Sequence, residues 1–293
     1  MISVSSVICN MFASATPIAL GGIGGMFGEK SGIVNIGLDG TMLFSAFSAV
    51  VACYYTGSPW LGLLAGVLTG VLISFLHAFF CITLKVDHTI IGLAVNILAS
   101  SATVYASSSI FGNKGFTASV TKLPDVNIPL LRDLPVVGTF FSSVSMITLT
   151  IIPIALIGHY LLNKTPFGIH VVAVGQNPQA AFVAGVNVQR TQYIAVMLGG
   201  LTCGLAGSFL SISNLSMFVR DMVSGRGFIA IAAILFGRYK PAGILLAALF
   251  FGLADAVQIA LQGTVHIPNE IIQCAPYALT ILAVTINEAR NKK

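Results

Sequence analysis

Charge is what this sequence has least of. Asp, Glu, Lys and Arg make up 8% of its 293 residues, against roughly 25% in an ordinary soluble domain. Hydrophobic residues reach 56% and the mean hydropathy is +0.94. A water-soluble fold of this length is excluded, and a chain that crosses a membrane several times is indicated. Cysteine is sparse too: Cys9, Cys53, Cys81, Cys203 and Cys274 lie inside apolar stretches with no Cys-x-x-Cys pair, which excludes a disulfide framework and a thiolate metal centre. The histidines, His77, His88, His159, His170 and His266, read as scattered, with no carboxylate or Cys at ligand spacing on a shared helix face. No catalytic and no metal-binding constellation is expected.

Phosphate-binding chemistry is missing as well. Gly28-Glu29-Lys30-Ser31 follows the glycine-rich run Gly21 to Gly25. Glu29 separates Gly from Lys, however, and the preceding segment is an apolar helix where a phosphate loop needs a strand. If transport here uses ATP, another polypeptide must hydrolyse it. No charge precedes Glu29, so the first apolar run lacks the basic start of a cleaved signal peptide and reads as a retained span.

What is present is a succession of apolar runs. Stretches of about 20 residues are long enough to cross the hydrocarbon as helices. Eight occur, near 8–27, 39–56, 60–84, 89–111, 142–162, 192–213, 241–258 and 271–287, with a ninth, 227–237, too short to cross alone and read as half of a broken helix. The expected fold is all-α, a polytopic transmembrane bundle of about 8–10 helices with one or two broken or short, forming a single domain over 1–293. Net charge is +5, from 14 basic and 9 acidic residues. The basic ones sit between apolar runs and at Arg290, Lys292 and Lys293, the pattern of a cytoplasmic membrane face rather than of a nucleic-acid surface. Counting back from a cytoplasmic C-terminus, with 227–237 taken as a crossing, puts Arg238, Lys240, loop 163–191, Lys85, Glu29 and Lys30 inside. Loop 112–141 and the N-terminus are then outside. If 227–237 were re-entrant, everything before it would flip.

Small residues recur at helix-face spacing: Gly62, Gly66 and Gly70; Gly200 and Gly204; Ala248, Gly252 and Ala256. Such faces let backbones approach closely in lipid, within one subunit or between two. Gly32-Ile33-Val34-Asn35-Ile36-Gly37-Leu38-Asp39-Gly40 resists a continuous helix, and is either a stretch of translocation path or a capped turn. Asp255, a carboxylate inside an apolar run, has a path role or an interhelix one. Asn96 and Gln258 are candidate polar contacts. In the loop Lys164 to Arg190, Asn177 is placed to cap a short helix, Pro178 to open it and Gly185 to end it with positive φ. Ala180, Ala181, Phe182, Val183 and Ala184 leave that helix apolar and in want of something to pack on.

Three blocks carry a resemblance that covers nearly the whole chain. They are Gly28 to Gly40; Thr165-Pro166-Phe167-Gly168 followed by Ala173-Val174-Gly175-Gln176-Asn177-Pro178-Gln179-Ala180-Ala181; and Gly225-Arg226-Gly227-Phe228-Ile229-Ala230-Ile231-Ala232. Together they resemble the permease subunits of bacterial ATP-binding-cassette importers of the branched-chain amino acid, ribose and nucleoside group, most closely the simple-sugar and nucleoside branch. Val172 departs from the Arg often found there.

The resemblance implies a multi-pass subunit of a bacterial cytoplasmic membrane. Its partners would be a second, similar or identical permease, a cytoplasmic ATPase that holds ATP and Mg, and an extracytoplasmic binding protein; this chain would hold no cofactor. It implies an ATPase-coupling helix made by Gly175, Asn177, Pro178, Gln179, Ala180, Ala181, Ala184 and Gly185. Asn35, Asp39, Asn96 and Asp255 are the candidate path residues. The scarcity of charge points to a neutral solute, and the resemblance to a nucleoside, with a flavin or simple sugar behind it. A stand-alone secondary transporter would need a coupling-ion site in two matching repeats, and a membrane enzyme a polar cluster; neither is read here.

Overall fold

The computed structural model describes residues 4–126 and 144–262. Its helices are α1 (Val4–Lys30), α2 (Leu38–Thr56), α3 (Pro59–Ala78), α4 (His88–Phe111), α5 (Met146–Lys164), α6 (Pro166–Gln176), α7 (Pro178–Val183), α8 (Val188–Ser208), α9 (Arg226–Phe236) and α10 (Pro241–Gln262). Helices α3 and α8 continue through π-helical turns, Phe79–Thr83 and Phe209–Leu215. A two-stranded antiparallel ladder pairs Asp125 with Ser145 and Val126 with Val144. Among the described residues, seven helices are long and apolar enough to cross a membrane, as a polytopic all-α bundle requires. The run 271–287 and the C-terminal basic residues lie outside the described residues.

Local chemistry sets the helix ends. Asp87 Oδ1 accepts from the Ile90 and Thr89 amides at the start of α4, and those two bonds hold its carboxyl below the usual carboxylate range. Pro59 and Pro166 open α3 and α6, where a missing N–H is harmless. Gly57 and Gly112 close α2 and α4 in the left-handed region.

Helix α1 is the axis of the core, with Ile18, Leu20, Ile23, Met26 and Phe27 buried against α5, α8, α9 and α10. The small-residue faces resolve as packing inside one chain. Gly70 meets the Gly200 carbonyl and Gly204, Gly66 meets Ser208, and Gly252 meets Ala15 and the Met11 carbonyl. Across α3, the outward row Leu61, Leu64, Leu68 and Leu72 stays exposed, as a lipid-facing stripe should.

Two irregular segments then fold back into the bundle together. Leu123 N donates to Ile212 O, Val120 N to Ser216 O, Thr117 N to Phe218 O and Arg220 N to Gly115 O, at 3.0, 2.8, 3.0 and 2.8 Å. From Ser216 the chain descends as a coil, becomes the 11-residue α9 and reaches Tyr239, whose hydroxyl bonds Glu29 at the far end of α1. Burial, and next the Glu29 charge, push that hydroxyl up. The short apolar stretch is thus the second half of one interrupted crossing. Lys30, Lys85, Lys164, Arg190, Arg238 and Lys240 gather at the end where α1 finishes and α8 and α10 begin.

Candidate functional site

The segment between α1 and α2 is held by amide side chains. Asn35 Oδ1 accepts from Gly37 N at 2.9 Å. Asn96, reaching over from α4, accepts from Gly40 N at 2.7 Å and donates to Ile36 O at 3.1 Å. The Gly40 amide, one of the orphan N–H groups in the first turn of α2, is satisfied this way, as is that of Gly37 just before the helix.

One turn on, Asp39 accepts from Gly227 N at 2.9 Å across 188 residues of sequence, and so ties α2 to the start of α9. Gly227 has no room for a side chain, since a Cβ there would run into the Asp39 backbone. Its neighbour Arg226 donates through Nη1 to Met222 O and Val223 O, and its Nη2 stands 3.6 Å from Asp255 Oδ2. The buried Nε of Arg226 finds no partner among the described residues.

Of the four residues that sequence singles out, Asn35 and Asn96 thus share one polar cluster. Asp39 and Asp255 meet the two sides of the Arg226-Gly227 dipeptide. Sequence reasoning missed Arg226 as a site residue, although a basic residue opening an apolar stretch was the available signal. Another correction concerns His77. Cys81 lies one turn further, with Sγ 3.5 Å from Nε2 and both residues buried, so a Cys does stand at ligand spacing. Two side chains do not make a metal site, and among the described residues no group of three or more His, Cys, Asp or Glu could hold one.

The coil above α9 carries more charge. Arg220 Nε pairs with Asp221 Oδ2 at 3.3 Å, with the side chains 61% and 49% exposed. Asp221 Oδ1 also accepts from Ser100 Oγ of α4 at 2.7 Å. Ser216, Asp221 and Ser224 have φ of 57°, 51° and 50°, a region non-glycine residues visit at a cost.

At the basic end, α6 and α7 form the loop helices. Asn177 Oδ1 accepts from Ala180 N at 3.0 Å, Pro178 is the first helical residue of α7, and Gly185 follows with φ of 85°. Ala181 is buried, while Phe182 and Val183 are 71% and 87% exposed. A Cβ at Gly175 would collide with the Lys30 carbonyl, and Gln192 Nε2 donates to Ser31 O at 3.2 Å. The loop is therefore braced on the end of α1.

Seven apolar helices among the described residues, around a buried polar seam with an interrupted crossing through it, define a multi-pass membrane protein. Residues 7–284 match the family described as branched-chain amino acid transport system / permease component, and the chain belongs to that family. The guanosine ABC transporter permease protein NupQ of Bacillus subtilis is 41% identical over 285 residues, 92% of this chain and 88% of that protein. The nucleoside ABC transporter permease protein NupC of Lactococcus lactis is 35% identical, over 96% of this chain and 91% of that protein. In fold, the chain is similar to a solved chain of a metal-chelate type ABC transporter in an inward-facing conformation. The TM-score is 0.55 at 16% identity, covering 95% of this chain and 85% of that one.

Proposed function

We propose that the chain is one of two membrane subunits of an ATP-driven importer that carries nucleosides across a bacterial cytoplasmic membrane. The observation that carries this reading is α7. It is a capped six-residue helix whose exposed Phe182 and Val183 stand at the basic end of the bundle, on a loop braced through Gly175 against Lys30. An apolar element held rigidly at a cytoplasmic face suits docking onto an ATPase subunit. Gly175, Asn177, Pro178, Gln179, Ala180, Ala181, Ala184 and Gly185 make that contact.

Movement of α7 passes through Gly175 to the Lys30–Gly32 turn, and from there to Asn35 and the start of α2. Asn35, Asp39, Asn96 and Asp255 hold the polar seam that such movement rearranges, so they shape the translocation path. ATP and Mg bind the separate ATPase, which favours inward- and outward-facing states unequally in the course of hydrolysis. The C-terminus and loop 163–191 are cytoplasmic. Loop 112–141 is external and receives the solute from a binding protein, and a second, similar or identical permease completes the path. The guanosine and nucleoside permeases among the relatives support a nucleoside cargo, and so does the scarcity of full charge in the spans, which asks for a neutral solute.

Uptake of tritiated guanosine into proteoliposomes holding the complete transporter tests the reading. Uptake should require ATP on the side of α7, and a cysteine placed at Gln179 should cross-link to the ATPase. Uptake that follows an ion gradient and ignores ATP would overturn it.

A further inference from the structure

The residues that sequence reasoning assigns to the path are largely occupied with holding helices together. Exposed charge lies instead on the coil above them. Ser100 stands at the middle of the 24-residue α4, about 18 Å from either end at roughly 1.5 Å per residue. Its bond to Asp221 places the Arg220–Asp221 pair at that depth. Charges at mid-depth shun lipid and face a cavity or a partner, and irregular backbone is tolerated there only where protein buries it or water fills the space beside it. Arg220 and Asp221 are both about half-exposed, so this coil faces water.

Chemistry narrows what the site takes. A carboxylate offers about four lone-pair sites and a guanidinium five N–H donors, so both groups keep capacity beyond the bonds they make here. Together they are neutral and favour neither an anion nor a cation. Phe116 pairs with Val219, the neighbour of Arg220, through an isolated backbone bridge, and the residue is 53% exposed. An exposed aromatic residue on the segment bridged to the one that carries a donor–acceptor pair suits a flat ring that carries hydroxyl groups.

We propose that Arg220, Asp221, Ser100 and Phe116 form a solute-contact site half-way along the path, one that binds the ribosyl hydroxyls of a nucleoside through the ion pair and stacks its base on the phenyl ring. The choice of nucleoside rests on the function proposed above; the placement of the site rests on depth and exposure alone.

Two measurements on the complete transporter in cells test it. In the first, Asp221→Asn and Arg220→Gln should each raise the KM for tritiated guanosine about tenfold, the loss of roughly one hydrogen bond to a charged group. Arg220→Lys should keep part of the affinity, and immunoblots should find each variant in the membrane at normal level. In the second, Asp221→Cys should react with a membrane-impermeant maleimide added outside, and saturating guanosine should protect it. An unchanged KM in both charge variants, or no aqueous labelling at position 221, overturns the site while leaving the importer intact. Labelling at 221 without any guanosine uptake by the unaltered transporter upholds the placement and overturns the nucleoside.

Discussion

Gly227 shows how one missing side chain joins two distant parts of the chain. Its amide reaches Asp39 only because no Cβ stands between them. Gly227→Ala forces the start of α9 away from α2, an overpacking that costs about 1–3 kcal/mol. We expect a lower melting temperature for the detergent-solubilised complex, read by fluorescence-detected size exclusion, and a larger fractional loss of uptake than of stability. Asp87 gives a second prediction at this scale. Its carboxyl is lowered by the Ile90 and Thr89 amides, so its capping is intact above the ordinary carboxylate range and is lost as pH falls through the lowered value. Protection of the Thr89 to Ile91 amides from hydrogen exchange, corrected for intrinsic rate, should therefore fall below about pH 4, and Asp87→Asn should abolish that dependence. Sequence displayed Asp39 and Asp255 because a carboxylate stands out in an apolar run. It hid their partner, since no local periodicity encodes a contact across 188 residues. The His77 and Cys81 pair was legible from its spacing of four.

Among the elements, the long helices were readable as uncharged runs with caps where Pro, Gly and Asp stand. The coil between α8 and α9 was visible only as a gap, because its route depends on pairing with residues 115–123. Helix α7 was legible down to its cap, since Asn177, Pro178 and Gly185 each meet a backbone requirement that does not depend on what packs around them. Its buried residue is Ala181, so Ala181→Trp should push the helix off its bed. In the complete transporter, uptake should drop at least tenfold, with ATP hydrolysis either falling in step or persisting uncoupled, as paired radiotracer and phosphate-release assays would report. Normal uptake by that variant would mean that α7 only packs on its own bundle.

For the whole molecule, orientation is the testable quantity. Lys30, Lys85, Lys164, Arg190, Arg238 and Lys240 share one end, and basic residues in short loops stay in the cytoplasm. Single cysteines at Arg238 or Lys85 should resist an impermeant maleimide in intact cells and react in inverted vesicles, while one at Asn113 should show the reverse. The seven spans among the described residues were legible in composition; the pairing of the two irregular segments was not, because it is made by backbone groups that every residue carries. The interrupted crossing also bears on how the subunit is made. An 11-residue helix that follows a charged, strained coil is a poor substrate for insertion on its own, because its unpaired backbone would meet lipid with nothing to bond. The Gly227 amide finds its partner on α2, the coil's backbone groups find theirs on the 115–123 segment, and the Asp221 side chain finds its own on α4, all synthesised earlier. Residues 216–236 therefore enter the membrane as guests of helices already in place. Biogenesis of this subunit accordingly has an order, in which the part that carries Arg220, Asp221 and Arg226 is admitted late.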